Sequence, residues 1–453
     1  MIVKTIQEIA DMLNCDLVGE DKTSLIQGVG IDSRQVTENA LYIPLIGQRA
    51  DGHTFIDSVI QKGVKATLWQ KDHTPYPEDI TCILVDDTLE ALQNLAKAYL
   101  NTLSCLVIGV TGSNGKTSCK DMLYSIFSQE KKTQKTQGNR NNEIGLPLTV
   151  LDLDKDVEVA ILEMGMENKG EIDFLTHIAR PDVSIITTIG SAHMENLGGK
   201  KQIAQAKLEI LENLKPGGLF LYDKESPEIQ ECLLEMDIDP SKRLVSFGFN
   251  GDISIISSID YTENGIEFYC SSLTDKITLN ALGDFQAKNA LPCIYVALDQ
   301  KISTSSILKG LKDLEMTKMR TALLKVHDAK IIDDTYKSNP ESAKAAIDTL
   351  MKVQAKKHIA VLADMLDLGP KENDLHAMIG CYAVEKNVDI VYATGPLSKY
   401  TIKACTNIES KWFETKDEIV EELKHLLNED CAILIKGSRA MNMDEIVDEL
   451  KEM

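Results

Sequence analysis

Hydrophobic residues along this chain come in short unbroken runs, separated by stretches whose apolar positions recur three and four apart. The clearest run, residues 106–110 (LVIGV), is uncharged and rich in β-branched residues, the pattern of a strand buried on both faces. It breaks into Thr111-Gly112-Ser113-Asn114-Gly115-Lys116-Thr117. Residues 117–127 then carry Met122, Leu123, Ile126 and Phe127 at helical spacing. The alternation continues, with strands predicted at 157–162, 183–188 and 218–222 and helices at 145–151, 171–179 and 200–214. Repeated strand–helix units build a parallel sheet covered on both faces, and ligands bind at the carboxyl ends of its strands.

Two flanking regions carry their own alternation. Residues 1–86 predict strands at 26–31, 41–46, 66–69 and 80–85 and a helix at 55–64, and the N-terminal MIVKTIQEIADMLNC reads as the start of an amphipathic helix rather than a secretion signal. A helix at 87–99 leads into the central region. Residues 253–279 switch to period two around Asn264-Gly265, a hairpin signal, and helices at 285–298 and 305–314 follow. From about residue 315 the pattern restarts, with strands at 330–333, 359–363, 390–392 and 432–435 and helices at 340–352, 374–385, 416–427 and 444–452. The expected fold class is α/β in three domains: 1–86, 87–314 and a smaller doubly wound, Rossmann-like unit at 315–453. Three domains also suit a 453-residue chain at roughly 150 residues each.

Composition narrows the function. With 43% hydrophobic and 26% charged residues the chain is ordinary globular protein. A net charge of −22 argues against a nucleic-acid partner, and any anionic substrate must be held by local donors against the general field. The ten cysteines form no C-x-x-C, and no apolar run approaches the roughly 18 residues of a membrane span. The expectation is a cytoplasmic protein with reduced thiols and no stable membrane insertion.

Candidate chemistry gathers at the predicted strand ends. A strand, a glycine turn and a helix aim backbone N–H groups and a helix N-terminus at an anion; Lys116 adds a point charge, and Thr117 supplies a hydroxyl for a magnesium ion. Val110 stands where the eight-residue phosphate-loop pattern has its first glycine, leaving the shorter G-x-x-G-K-T form. Glu163 ends the next strand and could hold magnesium, which prefers oxygen ligands. His193, in GSAHMENLGG, fits a second metal ligand and a surface loop equally well. Lys207 on spacing alone is a solvent-facing helix lysine. Asn139, Asn141, Asn142 and Glu143 in GNRNNEIG suit a loop offering amides to a polar ligand. Ser33 and Arg34 could hold a phosphate, though Asp-Ser-Arg is also ordinary turn chemistry.

Taken together, TGSNGKT, GNRNNEIG, ILEMG, SAHMENLG and AKLEIL resemble the ATP-dependent Mur ligases of peptidoglycan synthesis, over the length of the chain. The NNEIG wording resembles the members that add D-alanyl-D-alanine to UDP-N-acetylmuramoyl-tripeptide. The DNPR motif usual in the diaminopimelate-adding members is absent, and folylpolyglutamate synthases share the central fold without NNEIG. The resemblance implies an N-terminal domain (DSR, DGH) that holds the UDP portion, a central phosphate-loop ATPase domain, and a C-terminal domain carrying DDTY-x-x-NP, DML-x-LG and KGSR. It implies ATP and Mg2+ as cofactors; nothing in the sequence gives a reason to expect more than a monomer. Thr111, Gly112, Ser113, Asn114, Gly115, Lys116, Thr117 and Ser118 would bind ATP, with Asn289, Arg320 and Asp334 around the nucleotide. Thr117, Glu163, His193 and a carbamylated Lys207 would hold metal, and Lys116, Glu163, His193 and Lys207 would form the catalytic set. Asn139, Asn142, Lys436 and Arg439 would line the substrate, with Ser33 and Arg34 at its UDP end. The chain departs from the family wording at Phe285-Gln286, where His-Asn is usual, at Tyr336-Lys337-Ser338, where YNA is usual, and around Ala363-Asp364 and 318–322. These departures motivate one rival of another class, an ATP-binding regulatory protein without ligase chemistry.

Overall fold

Strand Leu106–Thr111 lies inside a seven-stranded, wholly parallel sheet. Across that sheet the order is Ile253–Ser254, Arg243–Gly248, Leu219–Asp223, Val183–Ile186, Leu106–Thr111, Val159–Glu163 and Thr133–Lys135. The chain places Val159–Glu163 on one side of Leu106–Thr111 and Val183–Ile186 on the other. Its carboxyl end therefore opens at a topological switch point, where a crevice forms. The computed structural model describes residues 1–191, 194–427 and 430–453.

A six-stranded sheet near the C-terminus runs Ala322–Val326, Ala329–Asp334, Cys431–Lys436, Lys357–Ala363, Ile390–Thr394 and Glu409–Phe413. Only its first pair is antiparallel. Its carboxyl edge, at Asp334 and Lys436, contributes to a cavity shared with the carboxyl edge of the central sheet, and the turn that follows Asp334, at Tyr336 and Lys337, reaches a second, larger one. The N-terminal region holds a five-stranded sheet and a two-stranded antiparallel one, Val3–Thr5 with Leu25–Gln27.

The N-terminal residues form a short strand before the helix Ile6–Leu13, which Thr5 and Glu8 close as a capping box. That helix and Ile2 share one core with the helices Thr88–Leu100 and Gly145–Leu151, and the Ile2 N–H donates to the Leu151 carbonyl at 2.7 Å. The first region is thus packed onto the central one rather than strung from it. The strand expected at 41–46 pairs only over Leu41–Tyr42, and Pro44, which has no N–H, follows shortly after. The helix expected at 55–64 shrinks to Gly52–Phe55 and Ile56–Ile60, ending before Gly63, whose φ is +80°. The Asn264-Gly265 turn does join antiparallel strands, Asp260–Tyr261 and Ile266–Phe268.

Candidate active site

Loop and helix at the switch point form an anion cradle. Gly115 caps the helix Lys116–Phe127 with φ +83°, and a Cβ there would stand 2.6 Å from Asn289 Oδ1. Gly112, at φ +149°, would meet Thr187 Oγ1 at 1.9 Å. Only glycine fits at either place. Thr111 donates its hydroxyl to the Met164 carbonyl at 2.8 Å, and the Ser113 N–H donates to the Thr188 carbonyl at 2.8 Å, which fastens the loop to both neighbouring strand ends. Lys116 Nζ folds back onto the Gly112 carbonyl at 2.6 Å. Ser118 is buried and faces a second, smaller cavity.

Glu163 is almost wholly buried. Its carboxylate accepts from Thr117 Oγ1 at 3.1 Å and from Asn141 Nδ2 at 3.0 Å, and Lys120 Nζ lies 3.8 Å away. The oxygens of Thr117 and Glu163, side by side at the head of the cradle, are the donor type magnesium prefers. Asn139 and Asn142 line the same cavity, about 400 Å³ in volume, but the amide that reaches Glu163 belongs to Asn141. Asn142 instead accepts the Gly145 N–H at 2.9 Å, at the start of the next helix.

Lys207 is buried and lines this cavity, not the solvent as spacing alone suggested. Burial first, then Lys116 and Lys337, hold its ammonium well below the usual lysine range. Burial and then Lys337 likewise bring Lys116 down to about 8. Cations that weaken one another in this way form a site suited to an anion. Arg320 adds to it: its guanidinium stacks 3.8 Å over the Tyr336 ring, and its buried Nε has no hydrogen-bond partner among the described residues.

The smaller cavity, about 190 Å³, lies between Asn289 and Phe285 on one side and Asp334, Ala345 and Lys436 on the other. Asp334 accepts from Lys436 Nζ at 2.6 Å and from the Thr321 N–H at 3.1 Å. Lys436 is almost wholly buried. His193 lies outside the described residues. Ser33 and Arg34 are not brought to this centre; Arg34 is exposed and bonded to Asp32 by both Nε at 2.9 Å and NH2 at 2.8 Å. Of that DSR turn, Asp32 is the residue that lines a cavity, one shared with Arg140 and Asp152. Arg439 lines neither central cavity and pairs with Asp444 at 2.6 Å.

Sequence spacing missed the seam contacts. Asn114 in the cradle exchanges amide hydrogen bonds with Asn339 at 2.8 and 3.3 Å. Ser191 donates its hydroxyl to Glu341 at 2.7 Å, and Lys200 pairs with the same carboxylate at 3.0 Å. Asp121, on the cradle helix, accepts from the Thr317 N–H and hydroxyl at 3.0 and 2.7 Å, pinning the segment that leads to Arg320.

The chain matches three family descriptions: Mur ligase family, catalytic domain, over residues 25–100; Mur ligase middle domain over 110–297; and Mur ligase, glutamate ligase domain, over 319–439. A UDP-N-acetylmuramoyl-tripeptide--D-alanyl-D-alanine ligase of Bacillus subtilis is 37% identical over 459 residues, spanning 100% of this chain and 99% of its own. The chain belongs to the Mur ligase family. The Escherichia coli Mur ligase of the same name is 30% identical, with 100% of this chain and 99% of the relative covered. A crystal structure of MurF from Acinetobacter baumannii superposes with a TM-score of 0.91 at 28% identity, covering 100% of both chains. MurF ligase from Thermotoga maritima in complex with ADP gives 0.84 at 26% identity, over 94% of this chain and 97% of that one. Mur ligases thus share this chain's three-part α/β architecture from end to end.

Proposed function

We propose that this chain is the ATP-dependent ligase that joins D-alanyl-D-alanine to UDP-N-acetylmuramoyl-tripeptide, forming the pentapeptide precursor of peptidoglycan with release of ADP and phosphate. The observation that carries this reading is the cradle itself: Thr117 bonds the buried Glu163, and Lys116 lines the same cavity, at a switch point in a chain that belongs to the Mur ligase family. We place the domain boundaries near residues 86 and 314, and read the protein as a cytoplasmic monomer.

The acceptor's terminal carboxylate is a poor electrophile. One of its oxygens attacks the γ-phosphorus of ATP, the bond to the bridging oxygen breaks, and ADP leaves with the electron pair. The dipeptide's neutral amine then adds to the carbonyl carbon of the acyl phosphate. The tetrahedral intermediate expels phosphate and gives up the amine proton as the amide forms. In this reading Thr111, Gly112, Ser113, Asn114, Gly115 and Ser118 cradle the phosphates through backbone N–H groups, and Lys116 offsets their charge. Asn289, Arg320 and Asp334 surround the rest of the nucleotide, while Asn139, Asn142 and Lys436 face the acceptor. Ser33 and Arg34 are assigned to its UDP end, and Arg439 to the outer wall of the closed site. Thr117 and Glu163 would hold a first magnesium ion and His193 a second; magnesium there would neutralise phosphate charge. The depressed Lys207 amine is the form that adds carbon dioxide, so a carbamate at Lys207 could supply a further metal oxygen.

A phosphate-release assay tests the reading. Release is expected only when ATP, the tripeptide nucleotide and the dipeptide are all present. Running lysine- and diaminopimelate-containing nucleotides side by side identifies the acceptor. ATP binding without turnover on either nucleotide would instead favour a regulatory protein.

A further inference from the structure

Lys337 stands in the turn between strand Ala329–Asp334 and helix Pro340–Lys352, where family wording has asparagine. It lines both central cavities, the one that holds Lys116 and Glu163 and the one between Asn289 and Asp334. Its backbone is fixed from two directions. Lys436 Nζ donates to the Lys337 carbonyl at 2.8 Å while bonded to Asp334 at 2.6 Å, and the preceding ring, Tyr336, carries the Arg320 guanidinium at 3.8 Å. Three cations from different parts of the chain thus converge: Lys116 from the cradle, Arg320 from the connecting segment and Lys337 from the C-terminal sheet. Among the acidic residues on the larger cavity, Glu143 and Glu167 are exposed and Glu171 is half-buried; Glu163 is the one buried beside the lysines. The cations therefore occupy the interior. They raise the cost of one another's charge, with Lys337 acting on Lys116, and a polyanion placed among them offsets that cost.

We propose that Lys337 is a further catalytic residue of the ligase reaction, its ammonium holding the γ-phosphoryl oxygens from the C-terminal sheet's side while Lys116 holds them from the cradle. The inference rests on the ligase reading above. Lys337 moves no proton. As the bond from the γ-phosphorus to the bridging oxygen breaks and the bond to the acceptor carboxylate forms, it offsets charge on the transferred group's oxygens. Because Lys116 and Lys337 come from different sheets, the charge set is complete only when the two carboxyl edges face each other, which disfavours transfer to water in a separated form.

The test combines ligand binding with turnover. Wild type, Lys337→Met and Lys337→Arg are titrated with ADP and with a nonhydrolysable ATP analogue, and ligase kinetics are measured on the same preparations. Lys337→Met should bind ADP within about twofold of wild type but lose about tenfold or more in affinity for the analogue, because the γ-group alone is affected. Its kcat should fall about 100-fold, the scale of a lost charge-stabilising donor, with KM for the dipeptide nearly unchanged. Lys337→Arg should recover most of both. Should the Met side chain unsettle the turn, Lys337→Asn gives the same comparison. An unchanged preference for triphosphate over diphosphate, or losses of ADP and analogue affinity in equal measure, overturns the inference. Wild-type protein that releases no phosphate with all substrates present overturns the ligase reading instead.

Discussion

Lys116 hydrogen-bonds the carbonyl of its own loop, Gly112, at 2.6 Å. That contact keeps an ammonium ready in the cradle, and a triphosphate would exchange one neutral acceptor for several charged ones. Lys116→Ala should therefore abolish ATP-dependent amide formation while leaving the melting temperature within a few degrees. Phosphate release that persists with the dipeptide present would remove Lys116 from the catalytic set. Asp334 carries a different burden. It holds the buried Lys436 and also Thr321, a β-branched residue at φ +54° beside Met319 at φ +64°, a strained stretch that flanks Arg320. Asp334→Ala leaves Lys436 buried without its charge partner and should cost about 3 kcal/mol in denaturant unfolding. The double variant Asp334→Ala/Lys436→Met removes the stranded charge and should recover much of that loss; equal instability of the two would place the cost in the Thr321 backbone instead. Away from the site, the ring nitrogens of His73 face the carboxylates of Asp72 at 2.9 Å and Asp51 at 3.1 Å, which accept from the charged ring, and these hydrogen bonds, Asp72 first, raise it above its ordinary 6.5. A raised histidine contributes stability that is complete below pH 6.5 and is lost as pH climbs through the higher folded value. The melting-temperature advantage of wild type over His73→Gln should thus be larger at about pH 6 than at about pH 8; the reverse order would contradict the assignment.

Among the elements, those buried on both faces were readable. Residues 106–110, 183–186 and 432–435 are apolar runs because helices cover both sides of their sheets, and helices such as Gly145–Leu151, Glu171–Ala179 and Pro340–Lys352 start and stop where the periodicity says. Strands at sheet edges were not. Thr133–Lys135 (TQK) and Glu409–Phe413 (ESKWF) carry polar residues because one edge meets solvent, so nothing in their pattern separates them from loops. The site divides along the same line. TGSNGKT was readable because its chemistry is contiguous, whereas Asn141 on Glu163, Asp121 on Thr317 and Lys436 on Asp334 depend on contacts between residues 22 to 196 positions apart. The cradle also shows how tightly loop and helix are joined. Gly115→Ala would place a methyl 2.6 Å from Asn289 Oδ1 at a φ of +83°. Either the loop or the helix Asp284–Asp299 must yield, and KM for ATP should rise at least about tenfold with the fold retained. Adding Asn289→Ala relieves the clash but not the backbone conformation, so recovery should be partial; full recovery would show that Asn289 alone sets the need for glycine.

Across the whole molecule, a parallel sheet and a mostly parallel one meet carboxyl edge to carboxyl edge, and polar contacts help to hold the seam. Glu341, in the first turn of helix Pro340–Lys352, accepts from the Ser191 hydroxyl at 2.7 Å and N–H at 3.2 Å and pairs with Lys200 at 3.0 Å, while Asn339 exchanges amide bonds with Asn114. None of these residues belongs to the core clusters on either side. Leu282 and Tyr261 of the central region also reach the C-terminal core, so the seam combines these polar contacts with a small apolar one and is of the kind that permits motion between domains. A ligase that builds an acyl phosphate needs the facing edges together during transfer and apart for substrate entry, so such contacts should be neither dispensable nor irreversible. Glu341→Gln keeps the size and the acceptor for Ser191 but loses the charge facing Lys200, and Glu341→Ala loses both. The expected order is a small rise in KM for ATP with Gln and a larger one with Ala, about tenfold, with the unfolding transition nearly unmoved, because the contact bridges two parts that fold on their own cores. Small-angle scattering should show the Ala variant more extended than wild type, with the difference shrinking when a nonhydrolysable ATP analogue draws the edges together. Identical scattering curves for the two proteins without nucleotide would mean that the cores, and not this polar seam, set the closure.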